Sequence, residues 1–223
     1  MLSNICLRNS ALALALIIHG LAFAADSIHA FGFTWSVPFE ADWATQTEQS
    51  QTTLKLLIPR SQTKPRRPIQ FALAETEPFE RVEIEAEVMP LQTSLILIYA
   101  WQDEAHFNYV HLSSDTGNDQ PVHNGVFHVF GGDRVRISSL AGPAALPETK
   151  KWYRVKLVYD ANTGEVNTTV NGSPNPALHA IDLSLGPGRI GLGSFTETAF
   201  FRNVTIKGSH ATGRNRKQSA QYP

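Results

Sequence analysis

Short runs of alternating apolar and polar residues, separated by turn-forming residues, repeat along most of the chain. Successive side chains on a β-strand point to opposite faces, so this two-residue period predicts half-buried strands. We find no long stretch with the 3.6-residue apolar spacing of a helix. The predicted strands are residues 81–89, 94–101, 107–113, 125–130, 134–140, 152–160, 165–170, 189–195 and 199–207. The pattern therefore predicts an all-β fold, a two-sheet antiparallel sandwich.

The same alternation assigns side chains to the two faces of each predicted strand. Within residues 81–89 the aliphatic side chains occupy even positions, and three carboxylates, Glu83, Glu85 and Glu87, occupy odd positions. By the same rule, Tyr109 and His111 lie on the opposite face of their strand from Val110 and Leu112. His128 lies on the opposite face from Phe127 and Val129. Arg134 and Arg136 lie on the opposite face from Val135 and Ile137. If the aliphatic sets form the core, the remaining residues form a face rich in groups that bind or catalyse.

The two ends of the chain differ in composition from the middle. Residues 1–24 carry one basic residue, a short apolar run and the small-residue site Ala22-Phe23-Ala24, which are the parts of a secretory signal peptide. The apolar run is shorter than the roughly 20 residues of a transmembrane helix. No linker divides residues 31–207, and residues 25–207 are predicted to form one domain, whereas residues 208–223 are predicted to be a disordered basic tail. We expect a secreted or periplasmic protein with no transmembrane segment.

Charge and cysteine content exclude two classes of protein. The formal net charge is −1, and nucleic-acid binding ordinarily needs a basic surface, so nucleic acid is not an expected partner. The one cysteine, Cys6, lies in the predicted signal peptide, which excludes a disulfide framework. The oligomeric state stays open.

Several strands resemble those of a known fold. The runs GRIGLGSF at residues 188–195 and AFFRNVTI at residues 199–206 are similar to the closing strands of concanavalin A-like jelly rolls, and WYRVKL at residues 152–157 resembles their middle strands. That superfamily includes laminin G-like modules, legume-type lectins and family 16 glycoside hydrolases. Residues 103–129 are also similar to bacterial secreted 3-keto-disaccharide-hydrolase-type domains. The resemblance implies a concanavalin A-like jelly-roll sandwich that binds or processes glycans.

The acidic strand is one candidate catalytic centre. Alternate residues on a strand lie roughly 6.5 to 7 Å apart, so neighbouring carboxyl groups can approach the roughly 5.5 Å separation of retaining glycosidases. Family 16 hydrolases carry a similar Glu-x-Asp-x-Glu strand. This resemblance implies that Glu83 is the nucleophile, Glu85 the helper and Glu87 the proton donor, although the central position here is Glu. An ordinary solvated strand face explains the same alternation.

Histidines form the second candidate centre, since four of the eight fall between residues 106 and 128. Their imidazoles suit hydrogen bonds to sugar hydroxyls beside a stacking aromatic ring, acid–base or metal chemistry, or ordinary polar roles on a crowded sheet. The predicted ligand-binding residues are Trp101, Tyr109, His111, His123, Asn124, His128 and Arg136. The predicted catalytic residues are Glu85, His111 and His128 on one shared face, with Glu83 and Glu87 as alternatives.

Calcium is the one cofactor that the sequence suggests. Asp115, Asn118 and Asp119 can place oxygen atoms around Ca²⁺, but the same residues also suit an ordinary polar turn. The leading functional hypothesis is an exported jelly roll that binds a polysaccharide or oligosaccharide on its concave sheet face. The alternatives are a glycosidase, 3-keto-disaccharide hydrolase or polysaccharide lyase acting on that face, and a protein-binding laminin G-like module without a sugar site.

Overall fold

The computed structural model describes residues 26–115, 122–140 and 142–211. The predicted signal peptide and the part of the predicted tail beyond residue 211 lie outside the described residues, as do Asn118 and Asp119. The secreted or periplasmic location therefore stays a prediction.

The described residues form strands that belong to two antiparallel sheets. The eight-stranded sheet contains β1 (Asp26–Ala30), β2 (Phe33–Val37), β5 (Gln70–Ala74), β7 (Ser94–Asp103), β8 (His106–Ser113), β9 (Gly125–Phe130), β10 (Val135–Arg136) and β14 (Arg189–Ser194). The seven-stranded sheet contains β3 (Trp43–Glu48), β4 (Gln51–Leu56), β6 (Phe79–Pro90), β11 (Tyr153–Asp160), β12 (Glu165–Val170), β13 (Ser173–Ile181) and β15 (Ala199–His210). A 3₁₀ turn, Glu40–Asp42, is the one helical element in the described part of the chain, and nothing helical there is long enough to cross a bilayer.

The order of strands in each sheet differs from their order in the chain. The eight-stranded sheet runs β1-β2-β5-β14-β7-β8-β9-β10, and the seven-stranded sheet runs β13-β12-β11-β6-β15-β4-β3. The late strand β14 thus pairs with the earlier strands β5 and β7. In the same way, β15 pairs with β4 and β6.

The main core lies between the sheets, because its buried side chains come from both of them. Val82, Ile84 and Val88 on β6 face Leu95 and Leu97 on β7 in one apolar cluster. The alternation in residues 81–89 thus has its aliphatic set inside and its carboxylates outside, as predicted. The all-β sandwich predicted from the sequence is confirmed.

Several strands and strand ends differ from those predicted. Six strands, β1 to β5 and β13, were not predicted. β13 contains Pro174 and Pro176, which a sequence pattern assigns to loops but which an edge strand tolerates. The predicted strand 134–140 is shortened to Val135–Arg136. The predicted tail began too early, because Gly208, Ser209 and His210 continue β15 and pair with β6.

Candidate functional site

A second apolar cluster covers the outer face of the eight-stranded sheet. Its residues all come from that sheet or directly follow it, which places them on the side away from the main core: Phe71, Leu73, Ile96, Ile98, Phe107, Tyr109, Phe127, Val129 and Phe195, with Trp101 packed against them. β7 shows the reason, since Leu95 and Leu97 face the core while Ile96 and Ile98 face outward. This sheet is therefore apolar on both faces, whereas the sequence predicted a polar outer face.

The segment between β4 and β5, residues 57–69, runs over this outer cluster and is called here the covering segment. It is attached to the β9–β10 turn by two hydrogen bonds, from Arg134 N to Arg66 O at 2.9 Å and from Arg66 N to Asp133 Oδ1 at 2.6 Å. The Arg134 guanidinium lies 4.5 Å from the Phe127 ring centroid and 4.4 Å from that of Phe195. Such cation–π contacts stabilise a cation over an aromatic surface.

Tyr109 and His111 lie beneath Arg134 and have no exposed surface. Arg134 Nη1 donates to Tyr109 Oη at 2.9 Å and to His111 Nδ1 at 3.2 Å. Burial and the charge of Arg134 hold the pKa of His111 well below its usual value, and burial raises the pKa of Tyr109. His111 is therefore neutral and closed off from solvent, a poor position for contact with a glycan or for acid–base catalysis.

His128 lies on the opposite side of the sheet from His111, so the prediction that they share a face was wrong. In the β8–β9 register His128 stands opposite Asn108, which alternates with Tyr109 and therefore faces inward. His128 Nδ1 lies 2.8 Å from Asn108 Oδ1 and 3.1 Å from Asp182 Oδ2. The error arose because Phe127 and Val129, taken as core residues, belong to the outer cluster.

Three further residues of the predicted ligand set hold loops in place. The buried Asn124 side chain donates from Nδ2 to Pro143 O at 2.8 Å and accepts from Ala145 N at 3.0 Å. Arg136 donates to the carbonyl oxygens of His123 and Asn124 at 2.8 and 3.0 Å. His123 Nδ1 also pairs with Asp115. These contacts stabilise the ends of β8 to β10 around the sheet edge.

The calcium hypothesis is not tested by the described residues. Asp115 is already paired with His123, and Asn118 and Asp119 are not described. Within residues 26–115, 122–140 and 142–211, no group of three or more His, Cys, Asp or Glu side chains is arranged to hold a metal ion. Calcium binding stays a prediction.

The three carboxylates of β6 lie on the outer face of the other sheet, each beside a basic partner. Glu83 pairs with Lys156 at 2.7 Å, Glu85 with Arg154 at 2.5 Å, and Glu87 with Arg202 at 2.6 Å. Burial works to raise the pKa of Glu87, but hydrogen bonds from Asn203 and Arg202 outweigh it and leave the pKa lowered.

The sheet to which each strand belongs corrects the prediction that Glu85, His111 and His128 share one face. Glu85 belongs to the seven-stranded sheet and His111 and His128 to the eight-stranded sheet, so these residues do not form one catalytic group. The physical reason is that alternation identifies the face of a strand, but it does not identify which sheet that strand joins.

A cleft of about 620 Å³ opens beside the covering segment on the outer face of the eight-stranded sheet. Apolar residues dominate its surface, among them Phe39, Pro68, Ile69, Phe71, Leu73 and Trp101. Four charged side chains also line it: Arg67, Glu75, Glu104 and Arg189. An apolar pocket with a few convergent polar groups is the usual form of a small-ligand site.

Arg189 and Trp101 are fixed together by the β7–β14 pairing, in which they stand opposite each other. The guanidinium lies 4.7 Å from the Trp101 ring centroid. Its Nε donates to Ala74 O at 3.2 Å and its Nη2 to Ser36 Oγ at 2.9 Å. Both side chains are half-buried, so the cleft has a rigid aromatic–cationic floor.

Comparison with solved structures identifies the fold. A carbohydrate-binding module, CBM66 from Bacillus subtilis, matches with a TM-score of 0.55 at 14% identity, over 78% of this chain and 95% of that chain. The fold is a concanavalin A-like jelly roll. A Bacillus subtilis protein with a galectin-like fold gives 0.47 at 18% identity, over 79% and 90% of the chains. A Bauhinia forficata lectin in complex with GalNAc gives 0.46 at 11%, over 77% and 92%.

Sequence comparisons add no family to this result. No family model matches the chain, and no curated protein matches its sequence. The likeness to CBM66 therefore concerns the jelly-roll fold, and a fold alone does not define a function.

The sequence reasoning missed most of the cleft, of which it had singled out only Trp101. A usable signal was present in β14, where Arg189 shares the outer face with Gly191 and Gly193. Glycine at alternate positions is required by the close neighbouring strand, because a Cβ at Gly193 would lie 2.2 Å from Gln70 O. Arg189 is therefore the one residue on the outer face of β14 that carries a side chain.

Proposed function

We propose that the protein binds a carbohydrate in the cleft formed by Trp101, Arg189 and the covering segment. The observation that carries the proposal is the half-buried Trp101 ring on a cleft that also contains charged hydrogen-bonding groups. A pyranose has an apolar face that packs on an aromatic ring and hydroxyl groups that need polar partners. The resemblance of the fold to a carbohydrate-binding module supports the same conclusion.

The proposed cleft replaces the face predicted from the sequence. Tyr109, His111 and Asn124 are fully buried, so they support the sheet and its loops and have no surface to offer a sugar. Of the residues predicted to bind the ligand, Trp101 alone lines the cleft.

Isothermal titration calorimetry with a panel of neutral and acidic oligosaccharides tests the proposal. Substitution Trp101→Ala is expected to weaken binding about tenfold or more, because a central aromatic anchor contributes that much to many interfaces. Trp152→Ala is the matched control, since Trp152 is also half-buried but packs against Arg202 beside the seven-stranded sheet. The Trp152→Ala variant is expected to bind the oligosaccharide with the affinity of the wild type.

Two outcomes contradict the proposal. Equal binding by the wild type and Trp101→Ala would move the sugar site away from the cleft. No binding across the whole panel would favour the laminin G-like interpretation, in which the jelly roll contacts protein instead.

A further inference from the structure

Basic residues on the two outer faces of the sandwich differ in their ion-pair partners. On the seven-stranded sheet, Lys156, Arg154 and Arg202 each form an ion pair with a carboxylate of β6. On the outer face of the eight-stranded sheet, a set of guanidinium groups forms no ion pair with any described carboxylate: Arg66, Arg67, Arg134 and Arg189. These three basic residues of the seven-stranded sheet are thus neutralised by carboxylates, whereas the four guanidinium groups on the other face are not.

Arg189 is the member of this set held most firmly within the cleft. Two of its nitrogens donate to Ala74 O and Ser36 Oγ, and its Nη1 has no hydrogen-bond partner among the described residues. Burial lowers its pKa, and the nearby Glu75 carboxylate opposes this effect without reaching ion-pair distance. A partly desolvated guanidinium with a free N–H edge is well suited to a carboxylate or sulfate, which it binds with charge-assisted hydrogen bonds.

Arg67 adds a second cation to the wall of the cleft, and its neighbour Arg66 points to the other side of the covering segment. Arg67 is half-buried and forms no hydrogen bond or ion pair with the described residues. Arg66 lies 6.0 Å from the Phe195 ring, next to Arg134. Arg189 begins β14 and Phe195 follows its end, so these positive groups extend over about 20 Å along that strand. This length suits a chain of sugars better than a single residue.

The cleft also contains Glu75 and Glu104, and both are exposed. An exposed carboxylate is hydrated and screened, whereas Arg189 and Arg67 are half-buried. The two guanidinium groups are therefore the more desolvated charges of the cleft, and the exposed carboxylates offset only part of their attraction for an anion.

We infer that the ligand of the cleft is an acidic polysaccharide, whose carboxylate or sulfate groups contact Arg189 and Arg67 while a sugar ring packs on Trp101. This inference rests on the proposed carbohydrate-binding function and specifies the class of glycan. The shared chemistry is an anionic group on a sugar, and uronate and sulfate are its two sources.

Titration with matched pairs of oligosaccharides tests the inference. The acidic probes are oligomers of galacturonate, glucuronate and mannuronate together with a sulfated galactan oligomer, and the neutral probes are the methyl esters of the three uronates and the desulfated galactan. The wild type is expected to bind at least one acidic probe about tenfold more tightly than its neutral form. The acidic probe that binds identifies the source of the charge.

Substitution of the arginines locates the contact. Arg189→Gln and Arg67→Gln are each expected to weaken binding of the acidic probe about tenfold, and to change binding of its neutral form by less than about threefold. Arg154→Gln on the seven-stranded sheet removes one positive charge far from the cleft and is the control, with no expected change. Raising the salt concentration is expected to weaken the acidic interaction in the wild type.

Glu75→Gln separates this inference from recognition of a neutral sugar. If Glu75 accepts hydrogen bonds from sugar hydroxyls, its replacement weakens binding. Because an acidic ligand is instead repelled by Glu75, we expect the variant to bind the acidic probe about two- to fivefold more tightly.

Failure of the inference is distinguishable from failure of the proposed function. Equal or tighter binding of the neutral forms, lost in Trp101→Ala, would overturn the acidic-glycan inference and retain the sugar-binding cleft. Absence of binding to every probe would overturn both.

Discussion

His111 shows how a single side chain can link stability to pH. It is fully buried, and the cationic or titratable groups that face it are Arg134, His123, Arg66 and Arg136. Because burial and then Arg134 lower its pKa, the folded protein holds His111 neutral, whereas the unfolded chain protonates it below about pH 6.5. The unfolded state binds more protons in that range, so the free energy of unfolding falls as the pH drops below about 6.5.

The phenylalanine variant tests this linkage. His111→Phe keeps a ring against Phe195 but cannot titrate. Between pH 7.5 and 5.5 the wild type is expected to lose roughly 1 kcal/mol more unfolding free energy than the variant, measured by urea denaturation. Replacement of the exposed His29 by Asn is the control and is expected to follow the wild type. Parallel pH profiles for wild type and His111→Phe would show that the buried imidazole does not contribute.

For individual residues, the alternation of apolar and polar positions predicted some side-chain orientations correctly. Alternation correctly placed Tyr109 with His111, because Val110 on the same strand lies in the main core. It failed for His128, because both faces of this sheet are buried and apolar character no longer distinguishes inside from outside. The sequence singled out Trp101 but not the cleft as a whole, because Arg189 and Trp101 meet only through strand pairing between distant parts of the chain.

Among the elements, β15 is longer than its side chains suggest. Gly208, Ser209 and His210 are polar or small, yet they pair with β6, and the His210 ring packs 4.4 Å from that of Phe79. Backbone hydrogen bonds in a sheet do not depend on side-chain polarity, which explains why the hydrophobic pattern ended at residue 207 while the strand continues.

Truncation measures the contribution of this extension. A chain that ends at residue 207 is expected to lose roughly 1 to 3 kcal/mol of unfolding free energy, because it loses backbone hydrogen bonds and the contact that shields Phe79. A chain that ends at residue 211 retains these contacts and serves as the control, with stability close to that of the full chain. Thermal unfolding followed by circular dichroism compares them, and equal midpoints would mean that residues 208–211 do not stabilise the sheet.

For the whole molecule, the main core is one continuous cluster shared by both sheets. Neither sheet can keep its inner face buried when the other unfolds, so we expect one cooperative transition. Urea unfolding followed by far-ultraviolet circular dichroism and by tryptophan fluorescence should give coincident curves, because Trp35 lies in this core. Two separate transitions would contradict a single core.

The sequence predicted this architecture from its strand pattern and its resemblance to jelly rolls, while the order of strands within each sheet was beyond it. Alternation records only whether a strand has one buried face, and it carries no information about the neighbours of that strand. The placement of the early strands beside β14 and β15 is therefore a finding of the structure.

The positions of β14 and β15 affect how the protein can be made. Each joins strands from earlier in the chain, β5 to β7 and β4 to β6, so both sheets are interrupted until these strands are in place. The eight-stranded sheet is complete only after β14 has been synthesised, through Ser194, and the seven-stranded sheet only after β15, through His210. Most of the polypeptide must therefore leave the ribosome before both sheets can acquire their full native pairing.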